Sequence, residues 1–250
     1  MTGTSASKHA SLSFSRSIAR AGGGFDDPDN ADNLFVTSGN TCSGAQLSGD
    51  YMSVQGEGAV AQDTALTHGA WQDVAFNRTT SSGGGGGLAT GTSLGAGAKQ
   101  FVHSGGTATG SLVSSGATAV ISGGGVTSGA TAWGDGFYGQ EGTNDGAVIV
   151  QGGASSIAAV VSGGYLSVQG QDALSEGAII TANGWQDVGL NNRTSERGGG
   201  VARKTTLVSG GKQYVDDGGL ATHTTIGSGG SQEVQVGGKA DHSYVAAGGR

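Results

Sequence analysis

The chain has 250 residues, of which 53 are Gly, three times the usual share of ~7%, and only 12% are charged against roughly 25% in an average domain. Gly keeps no sustained spacing of every third position along the chain, which excludes a collagen helix. The 12 basic and 19 acidic side chains leave a net charge of −7 with no long Lys/Arg run, so neither nucleic acid nor an acidic membrane surface is expected as a partner.

In chain order, residues 1–33 read as a polar arm. Its opening stretch MTGTSASKHASLSFSRSIAR has scattered basic residues and no apolar block of about seven or more, so it does not read as a secretory signal. Repetitive sequence begins at Leu34. Cys42 is the single cysteine, so it forms no intrachain disulfide and supports no Cys-based zinc site; it aligns with Ser156 and reads as an incidental small residue. SGDYMSVQG from Ser48 matches SGGYLSVQG from Ser162, and AWQDV at Ala70 matches GWQDV at Gly184, both at an offset of 114. The chain is therefore an internal duplication, with copy one over 34–147 and copy two over 148–250.

After each WQDV the repeat is interrupted by a polar insertion that carries Asn77-Arg78-Thr79 in copy one and Asn192-Arg193-Thr194 in copy two. Gly83–Gly87 lacks the Lys-Ser or Lys-Thr of a phosphate loop and reads as a flexible insertion. A further insertion near Phe137–Thr143 belongs to copy one alone. The longest apolar stretches, such as Ala147–Val150, fall far short of the roughly 20 residues that cross a bilayer, so no membrane insertion is expected.

A shorter period of 19 residues sits inside the copies. GGLATGTSLGAGAKQFVHS from Gly86 is followed by GGTATGSLVSSGATAVISG from Gly105; GGVARKTTLVS from Gly199, GGLATHTTIGS from Gly218 and GGKADHSYVAA from Gly237 align without a gap. Between the last three lie GGKQYVDD from Gly210 and GGSQEVQV from Gly229. The segments are short, alternating and rich in Val, Thr and Ile, which is strand chemistry. Two strands per unit with Gly-Gly corners predict an all-β parallel β-solenoid of about ten coils, stacked ~4.8 Å apart into a rod of roughly 50 Å. Three columns would fill its core: Val168, Val188, Val215 and Val234; Leu94, Val160, Leu207, Ile226 and Val245; and Ala89, Ala108, Ala202, Ala221 and Ala240. Gln72, Gln100, Gln186, Gln213 and Gln232 stand two positions before a core residue, hence on the same strand face. They form either a buried amide ladder or a solvated corner.

The chemistry-bearing residues are sparse. His223, His242 and Lys204 are equivalent in adjacent coils and read as a solvated basic column, since two imidazoles without a third ligand make no metal site. His9, His68 and His103 have no equivalents. Asp73 and Asp187 recur, and Asp216 and Asp217 precede a corner, but a catalytic group is needed once, and no nucleophile, base and orienting group can be assembled. The chain is read as non-enzymatic, with no cofactor. If Val74 and Val188 point inward, Trp71 and Trp185 point outward. Beside Asn77, Arg78, Thr79 and Asn192, Arg193, Thr194 they form candidate carbohydrate or protein contacts; alternatively each loop folds over its Trp and covers it. Both triplets fit the N-glycosylation pattern, which matters only in a host that reads it.

The unit GG, x-Q-x-V, x-x, GG, x-A-x-x-T-x-hydrophobe resembles the repeat in passenger domains of AIDA-type autotransporter adhesins, and similar repeats precede Hint modules. The resemblance covers roughly 34–250 and is best over Gly210–Ser228. It implies a parallel β-helix outside the cell or on the bacterial surface, a role in self-association and biofilm formation, and sometimes sugars on Ser or Thr. No C-terminal membrane barrel is recognisable, and the N-terminal arm is unlike the family's leader.

The two ends of the repeat array are in register. Leu34, Phe35 and Val36 open the first coil, while Val245 lies in the last and Gly248 and Gly249 form a corner. The expectation is a structural protein whose copies stack head to tail into filaments; truncation of a longer surface protein would leave the same signature. A glycan-binding module using the Trp faces is the alternative, and an ice-binding array is disfavoured because Thr107-Ala108-Thr109 does not continue as a flat Thr surface.

Overall fold

The structure, a computed structural model, describes residues 33–83, 85–135, 145–191 and 196–250. The arm up to Asp32 and the insertion expected near Phe137–Thr143 lie outside the described residues. The repeats build three parallel sheets of ten strands each. The first sheet runs from Leu34–Val36 through Trp71–Val74 and Trp185–Val188 to Ser231–Val234; the second from Thr41–Ser43 to Lys239–Asp241; the third from Gln46–Ser48 to Tyr244–Val245. Every coil contributes one strand to each sheet, and at ~4.8 Å per coil the stack is about 48 Å long.

A coil therefore has three strands, where the sequence reading expected two. The long segment of each unit bends at one residue with positive φ: Lys204 (53°), His223 (55°) and His242 (53°) in the last coils. Left-handed backbone costs a residue with a Cβ roughly 1–2 kcal/mol. It is held there by the ladder, because the His223 amide donates to Asp241 O of the next coil (2.9 Å) and the Lys204 amide to Thr222 O (2.9 Å). The expected basic column is exposed, and it forms the corner between the second and third sheets. The His223 and His242 rings stack there, 5.0 Å apart and 5° from parallel.

The Gly-Gly corners have a different origin. Gly218 takes φ +76°, and a Cβ on Gly219 would collide with the Val188 carbonyl of the coil beneath. One Gly is needed for the turn and the next for close stacking, which explains the pairing.

Inside, the first expected column holds as Val168, Val188, Val215 and Val234 in register. The alanine column holds too, and Cys42 lies in it, paired with Ala61; burial pushes its thiol pKa up. The second column needs one correction. The residue stacked between Ala132 and Ile180 is Val161, fully buried, whereas Val160 pairs with Thr131 and Ile179 on the outer side. Coil packing selects the second of two adjacent valines.

The glutamines form buried ladders. Gln100 Nε2 donates to Gln72 Oε1 (2.8 Å), Gln213 Nε2 to Gln186 Oε1 (2.7 Å), and Gln232 Nε2 to Gln213 Oε1 (2.7 Å). Hydroxyls from the third-sheet side complete each acceptor: Thr92 on Gln72, Ser111 on Gln100, Thr205 on Gln186, Thr224 on Gln213. Between the two ladders the same column carries Ala119, Val148 and Leu166. Packing the amides coil to coil satisfies groups that would otherwise cost about 1–3 kcal/mol each.

Candidate functional site: two hairpins over the first sheet

The two insertions leave the first sheet at equivalent places. In copy one Phe76–Asn77 pairs antiparallel with Ser82–Gly83, so the segment read as a flexible insertion starts as the second strand of a hairpin. In copy two Leu190–Asn191 pairs with Glu196–Arg197. The base is fixed the same way in both: Ser53 Oγ donates to Phe76 O (2.8 Å), and Ser167 Oγ to Leu190 O (3.1 Å). Asn192, Arg193 and Thr194 lie outside the described residues.

Alternation sets the outer face beneath each hairpin. Gln72 and Val74 point into the core and are fully buried, which leaves Trp71 and Asp73 on the outside of the sheet. Asp73 is nevertheless completely buried, because the hairpin closes over it. Arg78 Nε donates to Asp73 Oδ2 at 2.7 Å, and His103 Nε2 lies 3.0 Å from Asp73 Oδ1. The Arg78 amide donates to the Tyr51 hydroxyl (2.9 Å). Burial pushes the Tyr51 phenol well above the usual tyrosine range.

Asn77 does not face solvent. Its Oδ1 accepts from the Thr79 amide (2.9 Å) and the Thr79 hydroxyl (2.6 Å), closing an Asx turn at the hairpin tip. That turn directs Arg78 back over the sheet, where its Cζ is 4.5 Å from the centre of the Trp71 ring and 4.5 Å from that of Phe101. Lys99, beside Trp71 in the next coil, places Nζ 5.0 Å from the Trp71 ring. Trp71 and Phe101 contact each other at 5.4 Å. In copy one, then, Trp71, Asn77, Arg78 and Thr79 come together, joined by four residues that the sequence reading did not place here: Tyr51, Lys99, Phe101 and His103.

Copy two differs. Trp185 is only 4% exposed and packs at a tilt against Tyr165 (5.3 Å) in an outer apolar cluster with Ala147 and Ile149, against which Val120 and Tyr214 pack. Asp187 is again fully buried. The His223–His242 pair is separate; His242 Nδ1 bonds Asp241 Oδ1 (2.8 Å), and no group of three potential metal ligands occurs among the described residues. At the ends of the array, Leu34 is half-buried, Phe35 43% exposed and Val36 buried, while Val245 is 53% exposed beside the corner at Gly248 and Gly249.

No protein-family profile matches the chain, and no curated protein does. Among solved structures, the crystal structure of the TibC-catalysed, hyper-glycosylated TibA55-350 fragment superposes with a TM-score of 0.61 at 30% identity, covering 87% of this chain and 77% of that one. TibA is an autotransporter adhesin, and the fragment is from its passenger. The chain belongs to the AIDA-type autotransporter passenger family. As in that passenger, the fold is an adhesin-like β-solenoid, and the hairpins are features built on its first sheet.

Proposed function

We propose that this passenger is a non-enzymatic adhesin working outside the cell or on its surface, and that copies associate by stacking coil on coil. The observation that supports this reading is the match between the two end rungs. Among the described residues, the Leu34–Val36 and Ser231–Val234 strands are the end members of one parallel sheet and share its core column, the arrangement a second copy needs to continue the ladders. Exposed Phe35 and Val245 then add apolar area to the joint. A joint of this kind is heterologous and extends without closing. Negative-stain microscopy of the purified chain over a concentration series is the test. Rods far longer than about 48 Å that shorten to single units in Phe35→Asp and Val245→Asp variants are the expected result; unchanged long rods in both variants refute stacking.

A second reading, a glycan-binding surface at the hairpins, is favoured by one observation. The copy-one hairpin holds an exposed Arg78 in a fixed position on aromatic rings, surrounded by the exposed hydroxyls of Thr79, Thr80 and Ser82. Loss of binding to a glycan panel in a variant lacking residues 78–81, with the solenoid intact by circular dichroism, is the outcome expected; retained binding counts against it.

A further inference from the structure

We infer that the copy-one hairpin is an anion-reading site that takes a carboxylated saccharide, an inference that rests on the glycan reading of that same hairpin. Arg78 commits its Nε to the buried Asp73, and its guanidinium carbon lies over the neighbouring Trp71 and Phe101 rings, 4.5 Å from the centre of each. Among the described residues its terminal Nη atoms make no hydrogen bond, and the side chain is 37% exposed. A guanidinium held by its inner nitrogen and two rings presents a pre-oriented fork, the geometry that matches a carboxylate. Little conformational entropy remains to be lost on binding.

Lys99 strengthens the site. Its Nζ is 5.0 Å from the ring that Arg78 covers, and it has no ion pair among the described residues. Both cations thus lie within about 10 Å of each other, with the Asp73 carboxylate beneath Arg78. In a chain of net charge −7 such a pair of cations is too few for a densely charged polymer and suits one carboxylate per sugar ring. The hydroxyls of Thr79, Thr80 and Ser82 at the tip supply partners for sugar hydroxyls. Because Arg78 and Lys99 already sit on the Trp71 ring, recognition goes through the cations rather than through stacking of a sugar on the indole. Among the described residues of copy two, Trp185 is only 4% exposed and packs against Tyr165.

The test is calorimetric binding of hexagalacturonate and of its carboxyl-reduced, neutral counterpart to the whole chain. Three variants are compared: Arg78→Lys, which keeps the charge on Asp73 but loses the fork; Lys99→Gln, which leaves the Asp73 clamp untouched; and Lys212→Gln, the register equivalent of Lys99 in copy two. The expected result is binding of the acidic oligomer alone, weakened about tenfold by Arg78→Lys and about fivefold by Lys99→Gln, unchanged by Lys212→Gln, and reduced by salt. Equal binding of both oligomers overturns the anion inference and leaves the glycan reading standing. Binding of neither overturns both. Acidic binding that ignores Arg78→Lys and Lys99→Gln overturns the placement at this hairpin.

Discussion

The Gln186–Gln213–Gln232 ladder gives a stability effect that depends on how many of its members are replaced. Gln186 accepts from Gln213 Nε2 (2.7 Å) and Thr205 Oγ1 (3.1 Å) and donates to Ser175 Oγ (3.2 Å), and all four residues are fully buried. Gln186→Leu fits the space, since Leu166 occupies the same column one coil earlier. It strands the Gln213 amide N–H and the Thr205 hydroxyl, each costing about 1–3 kcal/mol, and regains part of that through apolar contact with Leu166; the net loss is about 2–4 kcal/mol. Gln186→Leu/Gln213→Leu removes the stranded amide and passes the break to Gln232, which is only half-buried and retains Thr224 Oγ1 at 3.3 Å. The double variant should then cost about 1–2 kcal/mol less than the sum of the singles. Urea unfolding followed by far-ultraviolet circular dichroism measures this through the midpoint shift at constant slope. A Gln186→Leu loss below about 0.5 kcal/mol, or a double variant equal to the sum, refutes the account of the ladder as mutually satisfied buried amides.

Gly219→Ala drives a Cβ into the Val188 carbonyl, whereas Gly39→Ala, at φ +73°, meets nothing within 4 Å. Differential scanning calorimetry should therefore show a drop of several degrees for the first and about half as much or less for the second, which bears only the left-handed backbone cost of roughly 1–2 kcal/mol. Asp73→Ala releases Arg78 and His103 from the hairpin base, and trypsin should cut after exposed Arg78 many times faster than in the parent chain, as timed gels would reveal. Tyr51 has its pKa raised by burial, so its share of stability is complete below the unfolded phenol value near 10 and falls away as pH rises beyond it. Tyr51→Phe should flatten the alkaline decline in Tm, at a neutral-pH cost of about 1 kcal/mol for the lost acceptor of the Arg78 amide.

The solenoid was legible because its physics is periodic. Gly-Gly pairs, Gln, Val and Ala recur at 19 residues wherever no insertion intervenes, as from Gln213 to Gln232 and Ala221 to Ala240, and stacking in register turns recurrence in sequence into contact in space. The third strand was not legible, because its corner needs positive φ at a single residue and the last coils use Lys204, His223 and His242 there, not Gly. The Val160–Val161 slip has a similar cause: two adjacent β-branched residues leave the alternation without a phase. At the hairpin, alternation gives the outward direction of Trp71 but not its cover. Asp73, which recurs in WQDV, is fully buried because Arg78 and His103 reach it, and recurrence alone does not tell that. His103 carried no signal at all, since its partner is 30 residues away and copy two has no equivalent histidine.

The orientation of the ladders has a mechanical consequence. In this stack the hydrogen bonds between coils point along the rod, so tension applied at its two ends pulls directly across one rung at a time instead of shearing many together. A terminal coil can then peel away while those behind it remain closed. Each coil released adds 19 residues of slack, about 60 Å of extension for a stack that loses only ~4.8 Å of length. A stack built this way yields in small, repeatable steps and dissipates load without losing its whole fold, and an optical-trap trace of the chain should show a staircase rather than a single rupture.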